Sequence, residues 1–137
     1  MIQIDANLFE DVIRKRQGWK ASSAVIDLVK KGDIAGGLSA WTVAVIYYFR
    51  RRSGMDDRSA RQRTAAILKG FTVLDLTAKI VALALDDWRF SGFEDALQFH
   101  TARENGVGIF VTRNVRHFQV VKDELTILTP EDFLAQM

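Results

Sequence analysis

The chain has 137 residues, of which 48% are hydrophobic and 26% are charged, and its 19 Lys and Arg against 17 Asp and Glu give a net charge of +2. These values are typical of one globular domain and exclude a globally disordered chain, and the net charge is too small to indicate a nucleic-acid partner by itself. The absence of cysteine excludes disulfides, thiolate zinc sites and a cysteine nucleophile.

The first residues, Met1 to Asp5, have neither the basic flank nor the long apolar run of a secretion signal. No stretch approaches the roughly 20 apolar residues that span a bilayer. There is no internal repeat and only one proline, so no linker is evident. We therefore expect a single domain over residues 1–137 that is located in the cytoplasm and has no membrane partner.

The N-terminal half alternates between short apolar runs and helical periodicities, which is typical of βαβ units and a largely parallel sheet. In chain order it predicts a strand Ile2–Ile4, a helix Asn7–Lys15, a helix with Trp19, Val25, Ile26, Leu28 and Val29 at helical spacing, a turn at Gly36-Gly37, a strand Leu38–Ala40, and helices Trp41–Arg52 and Arg58–Leu68. The second helix is expected to end at Lys30-Lys31-Gly32, because basic residues and glycine suit a helix C-terminus.

The C-terminal half continues the alternation. It predicts a strand Phe71–Leu74, helices Thr77–Leu85 and Phe93–Glu104 with a loop between them, strands Gly108–Thr112 and Leu125–Leu128, and a last helix at Pro130. Gly108–Thr112 is apolar on both faces, as expected of a buried parallel strand. Thr129 is a good N-cap for the last helix, and Pro130 fits its first position.

Polar side chains follow two of the predicted strands, and open parallel sheets bind ligands at the carboxyl ends of their strands. Asp5 follows the first strand, Asn114 follows the strand that ends at Thr112, and Asp95 lies next to Glu94 at the start of a helix. Carboxylates at helix N-termini also have a purely structural explanation, which is the favoured one for Glu94, and Asp5 could cap a turn.

Magnesium and manganese prefer hard oxygen ligands and keep several waters, so a few carboxylates and an amide suffice to hold one ion. Such an ion activates water and stabilises the charge that builds up on a phosphate under attack. A histidine-based zinc site is disfavoured, because His100 and His117 lack zinc-ligand spacing and partners. His100 is expected to be a packed core residue.

Positive charge is concentrated between Arg50 and Lys69, where seven basic residues stand against Asp56 and Asp57. This segment could track a phosphate backbone, or it could be two solvated helix faces, and the sequence leaves both interpretations open. Arg113 and Arg116 lie beside Asn114 and place positive charge next to the predicted metal ligands, where they could bind a phosphate.

Five segments resemble the PIN-domain ribonucleases, a family that includes many toxins of bacterial toxin–antitoxin systems. In chain order they are Ile4-Asp5-Ala6-Asn7, Ser39-Ala40 with Tyr47-Tyr48, Phe93-Glu94-Asp95-Ala96-Leu97-Gln98, Val111-Thr112-Arg113-Asn114-Val115-Arg116-His117-Phe118, and Leu128-Thr129-Pro130-Glu131-Asp132-Phe133. Each motif is only moderately specific, but their order and spacing together cover essentially the whole chain.

The resemblance implies a three-layer α/β/α domain with a central, mostly parallel sheet and an acidic pocket at its C-terminal edge. It also implies Mg²⁺- or Mn²⁺-dependent cleavage of RNA. Asp5 and Asp95 match two acidic positions of the family and are the implied metal ligands. Asn114 matches a position that is often Asp or Asn and is the third implied catalytic residue, while Thr112 matches a hydroxyl residue that supports the site.

The chain departs from the family pattern at two positions. The glutamate usual in the helix after Ser39-Ala40 corresponds to Val45, and the aspartate of the T-R-N segment is replaced by His117. With these acids missing, two adjacent metals are not expected and one would be held loosely. Glu94, Glu10 and Asp11 are the residues that could compensate.

We therefore expect a metal-dependent ribonuclease that is the toxin of a toxin–antitoxin pair, with RNA as its substrate and an antitoxin protein as its partner. Arg113 or Arg116 would steady the phosphate. A homodimer could form through aromatics of the Trp41–Phe49 helix, which could equally be core. The alternatives are a catalytically degenerate PIN domain that binds RNA or protein, and a structural dimerisation domain whose acids are only caps.

Overall fold

The computed structural model describes all 137 residues, which form five strands and seven α-helices. The strands are β1 (Ile2–Ile4), β2 (Gly36–Ser39), β3 (Phe71–Leu74), β4 (Ile109–Val111) and β5 (Thr126–Leu128). The helices are α1 (Ala6–Arg14), α2 (Trp19–Lys30), α3 (Ala40–Arg52), α4 (Asp57–Ile67), α5 (Ala78–Leu85), α6 (Phe93–Glu104) and α7 (Pro130–Ala135), with a 3₁₀ helix at Val115–Val121. None of the helices has the length and apolar character needed to cross a membrane.

The strands form one parallel sheet in the order β3-β2-β1-β4-β5, so β1 lies at its centre. Ile2 and Ile4 of β1 pack in a core that includes residues of α1, α2, α3 and α7. On β4, Phe110 belongs to a second core, shared with α5, α6 and the 3₁₀ helix. Because successive side chains of a strand point to opposite faces, the helices lie in two layers about the sheet. The predicted α/β/α architecture is confirmed.

The predicted turn at Gly36-Gly37 is wrong, since both glycines lie in β2. A Cβ atom on Gly36 would come within 2.6 Å of Val29 Cγ2, and one on Gly37 would come within 3.0 Å of Leu74 Cδ1. The glycines therefore allow side chains of α2 and β3 to approach the strand closely. At the other end, Ser39 accepts a hydrogen bond from the backbone N–H of Thr42 at 3.0 Å and caps α3, so Ala40 begins the helix.

Arg113, directly after β4, joins three helices through its guanidinium group. Nε donates to Asp11 Oδ2 at 2.8 Å, and Nη1 donates to both carboxylate oxygens of Glu131 at 2.5 and 2.7 Å. Nη2 donates to the carbonyl oxygen of Gly18 at 2.6 Å and to Ser22 Oγ at 3.1 Å. These contacts hold α1, α2 and α7 to the end of β4. We call them the Arg113 clamp.

Burial acts to raise the pKa of Asp11, but hydrogen bonds from Arg113, Ser22 and Arg16 outweigh it and leave the pKa lowered. Asp11 is thus an ionised residue of the clamp and does not belong to the cleft described below. The sequence predicts that Arg113 could bind a phosphate. In the structure every nitrogen of its guanidinium group already donates to the protein, so we assign it a structural role instead.

A second cluster fixes the loop between α5 and α6. Asp87 accepts hydrogen bonds from Arg89 Nη2 at 2.8 Å, and His100 Nε2 lies 2.8 Å from the same carboxylate. Arg89 Nη1 also donates to Glu124 at 2.6 Å. His100 packs edge-on against Phe99, as expected of a core residue, and also contacts Asp87. The loop is therefore attached to α6 and to the segment before β5.

We expect Arg113→Gln to lower the free energy of unfolding by roughly 3 kcal/mol, the size typical of removing one partner from a buried ion pair. The physical reason is that Asp11, whose side chain is 3% exposed, would lose its closest cation. Urea unfolding followed by circular dichroism measures the change. Arg116→Gln is the matched control, since Arg116 is exposed and makes no ion pair, and an equal loss of stability in both variants would contradict the clamp.

A hydrogen bond from Arg89 is the largest influence on the pKa of Asp87, which lies well below its ordinary value of 3.8. The stabilisation from the ionised carboxylate is therefore complete above that value and is lost as the pH falls below it. We expect Asp87→Asn to destabilise the protein at pH 7 by about 1.5–3 kcal/mol, as for hydrogen bonds to charged groups.

The difference between Asp87→Asn and wild type should shrink as the pH falls through the range 5 to 2 expected for a salt-bridged aspartate, roughly as general linkage requires. Thermal unfolding measured across that range tests it. Asp86→Asn is the control, because Asp86 is exposed and its side chain makes no ion pair. A difference between Asp87→Asn and wild type that does not change with pH would refute the assignment.

Candidate active site

A cleft of about 240 Å³ opens at the carboxyl ends of β1 and β4. Its lining includes three residues predicted from the sequence, namely Asp5, Asp95 and Asn114. Asp5 is reached from β1, Asp95 from the first turn of α6, and Asn114 from the residues after β4. The parallel sheet thus brings together side chains that are up to 109 positions apart in the sequence.

Asp5 is the most constrained residue of the cleft. Its Oδ2 accepts hydrogen bonds from Thr112 Oγ1 at 2.7 Å and from Asn7 Nδ2 at 3.2 Å. Its Oδ1 accepts a bond from Gln98 Nε2 at 3.3 Å. Asp5 is only 8% exposed, and its own backbone N–H donates to Val111 O. The predicted support of the site by Thr112 is therefore present as a direct hydrogen bond.

Asp95 is held more loosely, at the N-terminus of α6. Its side chain is 15% exposed, and the one side chain within ion-pair distance is His117, whose Nδ1 lies 3.1 Å from Oδ2. The sequence did not predict this contact between His117 and Asp95. The 3₁₀ helix after β4 carries the imidazole back over the cleft, a path that the sequence pattern did not reveal.

The pKa values of Asp5 and Asp95 are both raised. Loss of solvent on burial raises the pKa of Asp5, although the Thr112 hydrogen bond opposes the shift. Burial also raises the pKa of Asp95, with the charge interaction of His117 opposing it. The charge of Asp95 also raises the pKa of Asp5, and the charge of Glu94 raises the pKa of Asp95. A cation in the cleft would therefore be attracted to these carboxylates. Paired carboxylates with raised pKa in a cleft are typical of functional sites.

Both positions where the family pattern has acids face this cleft, since Val45 and His117 belong to its lining. Among the residues that could compensate, Glu94 and Glu10 also line the cleft. Glu10, however, pairs with Arg14 at 3.1 Å and with Arg16 at 3.0 Å.

No group of three or more His, Cys, Asp or Glu side chains is arranged to hold a metal ion. The predicted donor set is Asp5 and Asp95 with the amide of Asn114, and Glu94 and Glu10 are the other carboxylates in the lining of the cleft. Magnesium is commonly bound by one or two carboxylates while water and substrate phosphate complete its shell. This donor set fits one hard divalent cation and does not fit a two-ion centre.

Three supporting residues were missed as site residues in the sequence. Asn7 Nδ2 bridges Asp5 and Thr112, and Gln98 Nε2 donates to both Asp5 and Thr42 Oγ1. Gln98 lies three residues after Asp95, so both side chains fall on one helix face. Thr42 lies three residues after the N-cap Ser39. These spacings are the only signals in the sequence that could have identified Gln98 and Thr42.

A wider basin of about 770 Å³ adjoins the cleft and is lined by Arg89, Arg113, Arg116 and His117 among others. Arg89 and Arg113 are engaged by carboxylates. Arg116 is exposed and makes no ion pair or side-chain hydrogen bond. Of the two predicted phosphate-binding arginines, Arg116 is the one whose charge is free. Asn114 lies between the cleft and the basin and belongs to both linings.

Several solved structures share this fold, among them three that are described as toxins or toxin–antitoxin complexes. A toxin–antitoxin complex from Klebsiella pneumoniae matches with a TM-score of 0.69 at 16% identity, covering 95% of this chain and 98% of that one. VapBC2 from Rickettsia felis, bound to a DNA fragment from its promoter, matches with a TM-score of 0.69 at 18% identity, covering 94% and 98%. VapC20 from Mycobacterium tuberculosis, a sarcin–ricin loop cleaving toxin, matches with 0.65 at 15% identity, covering 92% and 97%.

At these identities the structures establish a shared fold. No curated protein matches the sequence significantly. The model of the PIN domain family does match, over residues 2–116. That segment runs from β1 into the 3₁₀ helix and contains Asp5, Asp95 and Asn114. The chain therefore belongs to the PIN domain family.

Proposed function

We propose that this protein is a divalent-metal-dependent ribonuclease and the toxin component of a toxin–antitoxin pair. The observation that carries the proposal is the convergence of two carboxylates on one cleft, the buried Asp5 and the half-buried Asp95, whose raised pKa values would be offset by a bound cation. Family membership supports nuclease chemistry in general, and VapC20, a sarcin–ricin loop cleaving toxin, shares the fold.

Asp5 and Asp95 would hold one Mg²⁺ or Mn²⁺ ion, with Asn114 contributing directly or through water. When bound, such an ion supplies an activated water and stabilises negative charge on the phosphate. Thr112, Asn7 and Gln98 orient the carboxylate of Asp5 through the hydrogen bonds given above.

The phosphate would be steadied by Arg116, because it is the arginine of the basin that makes no ion pair. Arg113 contributes through the clamp, which fixes the segment that carries Thr112 and Asn114. This division of roles follows from the contacts of the two side chains. In this proposal Arg113 positions neighbouring residues of the site, and Arg116 binds the substrate.

A specific observation favours a second candidate, a catalytically degenerate PIN domain that binds RNA without cutting it. Val45 and His117 occupy the cleft where the family pattern has acids, and His117 contacts Asp95 directly. A protonated imidazole in this position would compete with a metal ion for Asp95. The two candidates differ in cleavage and agree in RNA binding.

The proposed partner is an antitoxin protein, by analogy with the Klebsiella and Rickettsia complexes. A homodimer is also part of the proposal. On α3, Tyr48 is 54% exposed, whereas Trp41, Tyr47 and Phe49 are half-buried. The aromatics of α3 therefore leave Tyr48 as the principal residue available for such an interface.

The direct test is cleavage of labelled RNA by purified protein with Mg²⁺ or Mn²⁺. We expect cleavage by the wild type that EDTA abolishes and that Asp5→Asn and Asp95→Asn each reduce by about a hundredfold or more, as for loss of a group that stabilises transition-state charge. The reason is that each change removes one of the two carboxylates proposed to hold the metal ion.

Asp33→Asn is the matched control, because Asp33 is exposed and lies before β2, at the opposite edge of the sheet. Circular dichroism verifies that the variants fold. Unchanged cleavage by both cleft variants would refute the site assignment. A wild type that binds RNA in a salt-dependent manner and does not cleave it would establish the degenerate candidate.

Restoring the missing acids supplies an independent test. We expect Val45→Glu and His117→Asp, singly and together, to increase the affinity for Mn²⁺, because each adds a carboxylate to the lining of the cleft that contains the proposed ligands Asp5 and Asp95. Isothermal titration calorimetry with Mn²⁺ measures this directly. Val43→Glu is the control, since Val43 is on α3 and does not line the cleft. No gain in affinity from either cleft variant would show that Asp5 and Asp95 are not metal ligands.

A further inference from the structure

Three neighbouring depressions form a continuous track on the surface. The arginine basin shares Asn114 and His117 with the acidic cleft. The basin also shares Ser91 with a pocket of about 180 Å³ that is lined mostly by apolar residues, among them Trp88 and Phe93. The track therefore connects the acidic cleft, through the arginine basin, with an aromatic pocket.

Trp88 is the most exposed large hydrophobic residue of the chain, at 86%, and Phe93 beside it is 42% exposed. Trp88 makes no side-chain hydrogen bond, aromatic contact or cation–π contact within the chain. The indole therefore contributes nothing evident to the core and is largely accessible to a ligand. An exposed aromatic of this kind commonly marks a binding surface.

The loop that carries Trp88 is rigidly supported. Its two neighbours, Asp87 and Arg89, bond to each other, and they also contact His100 of α6 and Glu124 before β5. The side chain between them is thus presented to solvent by a fixed backbone. A fixed support lowers the entropic cost of placing an aromatic ring against a ligand.

We propose that Trp88, with Phe93, is a stacking platform for an unpaired base of the RNA strand whose backbone crosses the arginine basin to reach the cleft. The identity of the ligand as RNA rests on the proposed function. Proteins that bind single strands combine a positively charged groove with aromatic side chains on which bases stack. Here both features lie on one track, and Arg116 supplies the unpaired charge between them.

The arrangement favours nucleic acid over a protein partner. The apolar surface of the pocket is small and opens directly onto arginines and then onto carboxylates. This alternation matches bases and phosphates of one strand, whereas a helix docked in a groove requires a longer continuous apolar face. A base stacked on Trp88 must be out of a duplex, so the substrate class is single-stranded RNA or an unpaired loop.

The test compares fluorescein-labelled oligoadenylate with an abasic ribose-phosphate oligomer of equal length and charge. Fluorescence anisotropy is measured in EDTA, so that binding is observed without cleavage. We expect the wild type to bind oligoadenylate more tightly, and Trp88→Ala to weaken that binding by roughly fivefold to a hundredfold, as for loss of one stacking contact. Binding of the abasic oligomer should not change, and Trp88→Phe should retain most of the preference.

Leu83→Ala is the matched control, because Leu83 is an exposed apolar residue of α5 that lies outside the track. Equal binding of the two oligomers by the wild type would overturn the proposal, as would an unchanged preference in Trp88→Ala. Self-association of the wild type in sedimentation, lost in Trp88→Ala while RNA binding is unaffected, would assign the pocket to a second copy and would also overturn it.

The platform and the nuclease can fail separately. One outcome is base-dependent binding that is lost in Trp88→Ala, together with no cleavage in the presence of Mg²⁺ or Mn²⁺. This outcome would support the stacking platform and contradict the proposed nuclease activity. Metal-dependent cleavage by a protein that does not distinguish the two oligomers supports the nuclease and overturns the platform.

Discussion

The burial of the Asp5 carboxylate is the constraint on which the rest of the site depends. A charge held away from water is costly unless hydrogen bonds or a cation compensate for the lost solvation. Thr112, Asn7 and Gln98 come from three separate segments to donate these bonds. The same contacts hold β1, α1, α6 and the segment after β4 together, so the orientation of the carboxylate and the assembly of the cleft share one set of interactions.

Arg113 and Arg116 lie three residues apart and differ in their contacts with the rest of the protein. Arg113 turns toward α1, α2 and α7, and its guanidinium group is saturated by Asp11, Glu131, Gly18 and Ser22. Arg116 points into the basin and keeps its charge available. Since Thr112 and Asn114 flank Arg113, the clamp fixes both a supporter of Asp5 and a lining residue of the cleft. Arg113 is thus engaged in holding the helices together, and the phosphate binding that we propose falls to Arg116.

The cleft is poorer in negative charge than the family pattern implies, because two residues of its lining stand where the pattern has acids. Val45 lines the wall formed by α3, and His117 lies against Asp95. An apolar side chain and an imidazole both weaken attraction for a hard cation. Binding of RNA would then depend more on features outside the cleft. Arg116 and the aromatic pocket around Trp88 provide such features along one continuous track.

The sequence by itself determined the strand and helix alternation, the order of the family motifs, and the candidate residues Asp5, Asp95 and Asn114, because these depend on local periodicity and spacing. It misplaced Gly36-Gly37, whose strand conformation depends on side chains of α2 and β3. Only the tertiary structure decided that Arg113 binds Asp11, that His117 meets Asp95, and that Thr112 donates to Asp5. The first and last of these pairs are 102 and 107 residues apart, and contacts at such separations are created by sheet order and helix packing, which no local pattern encodes.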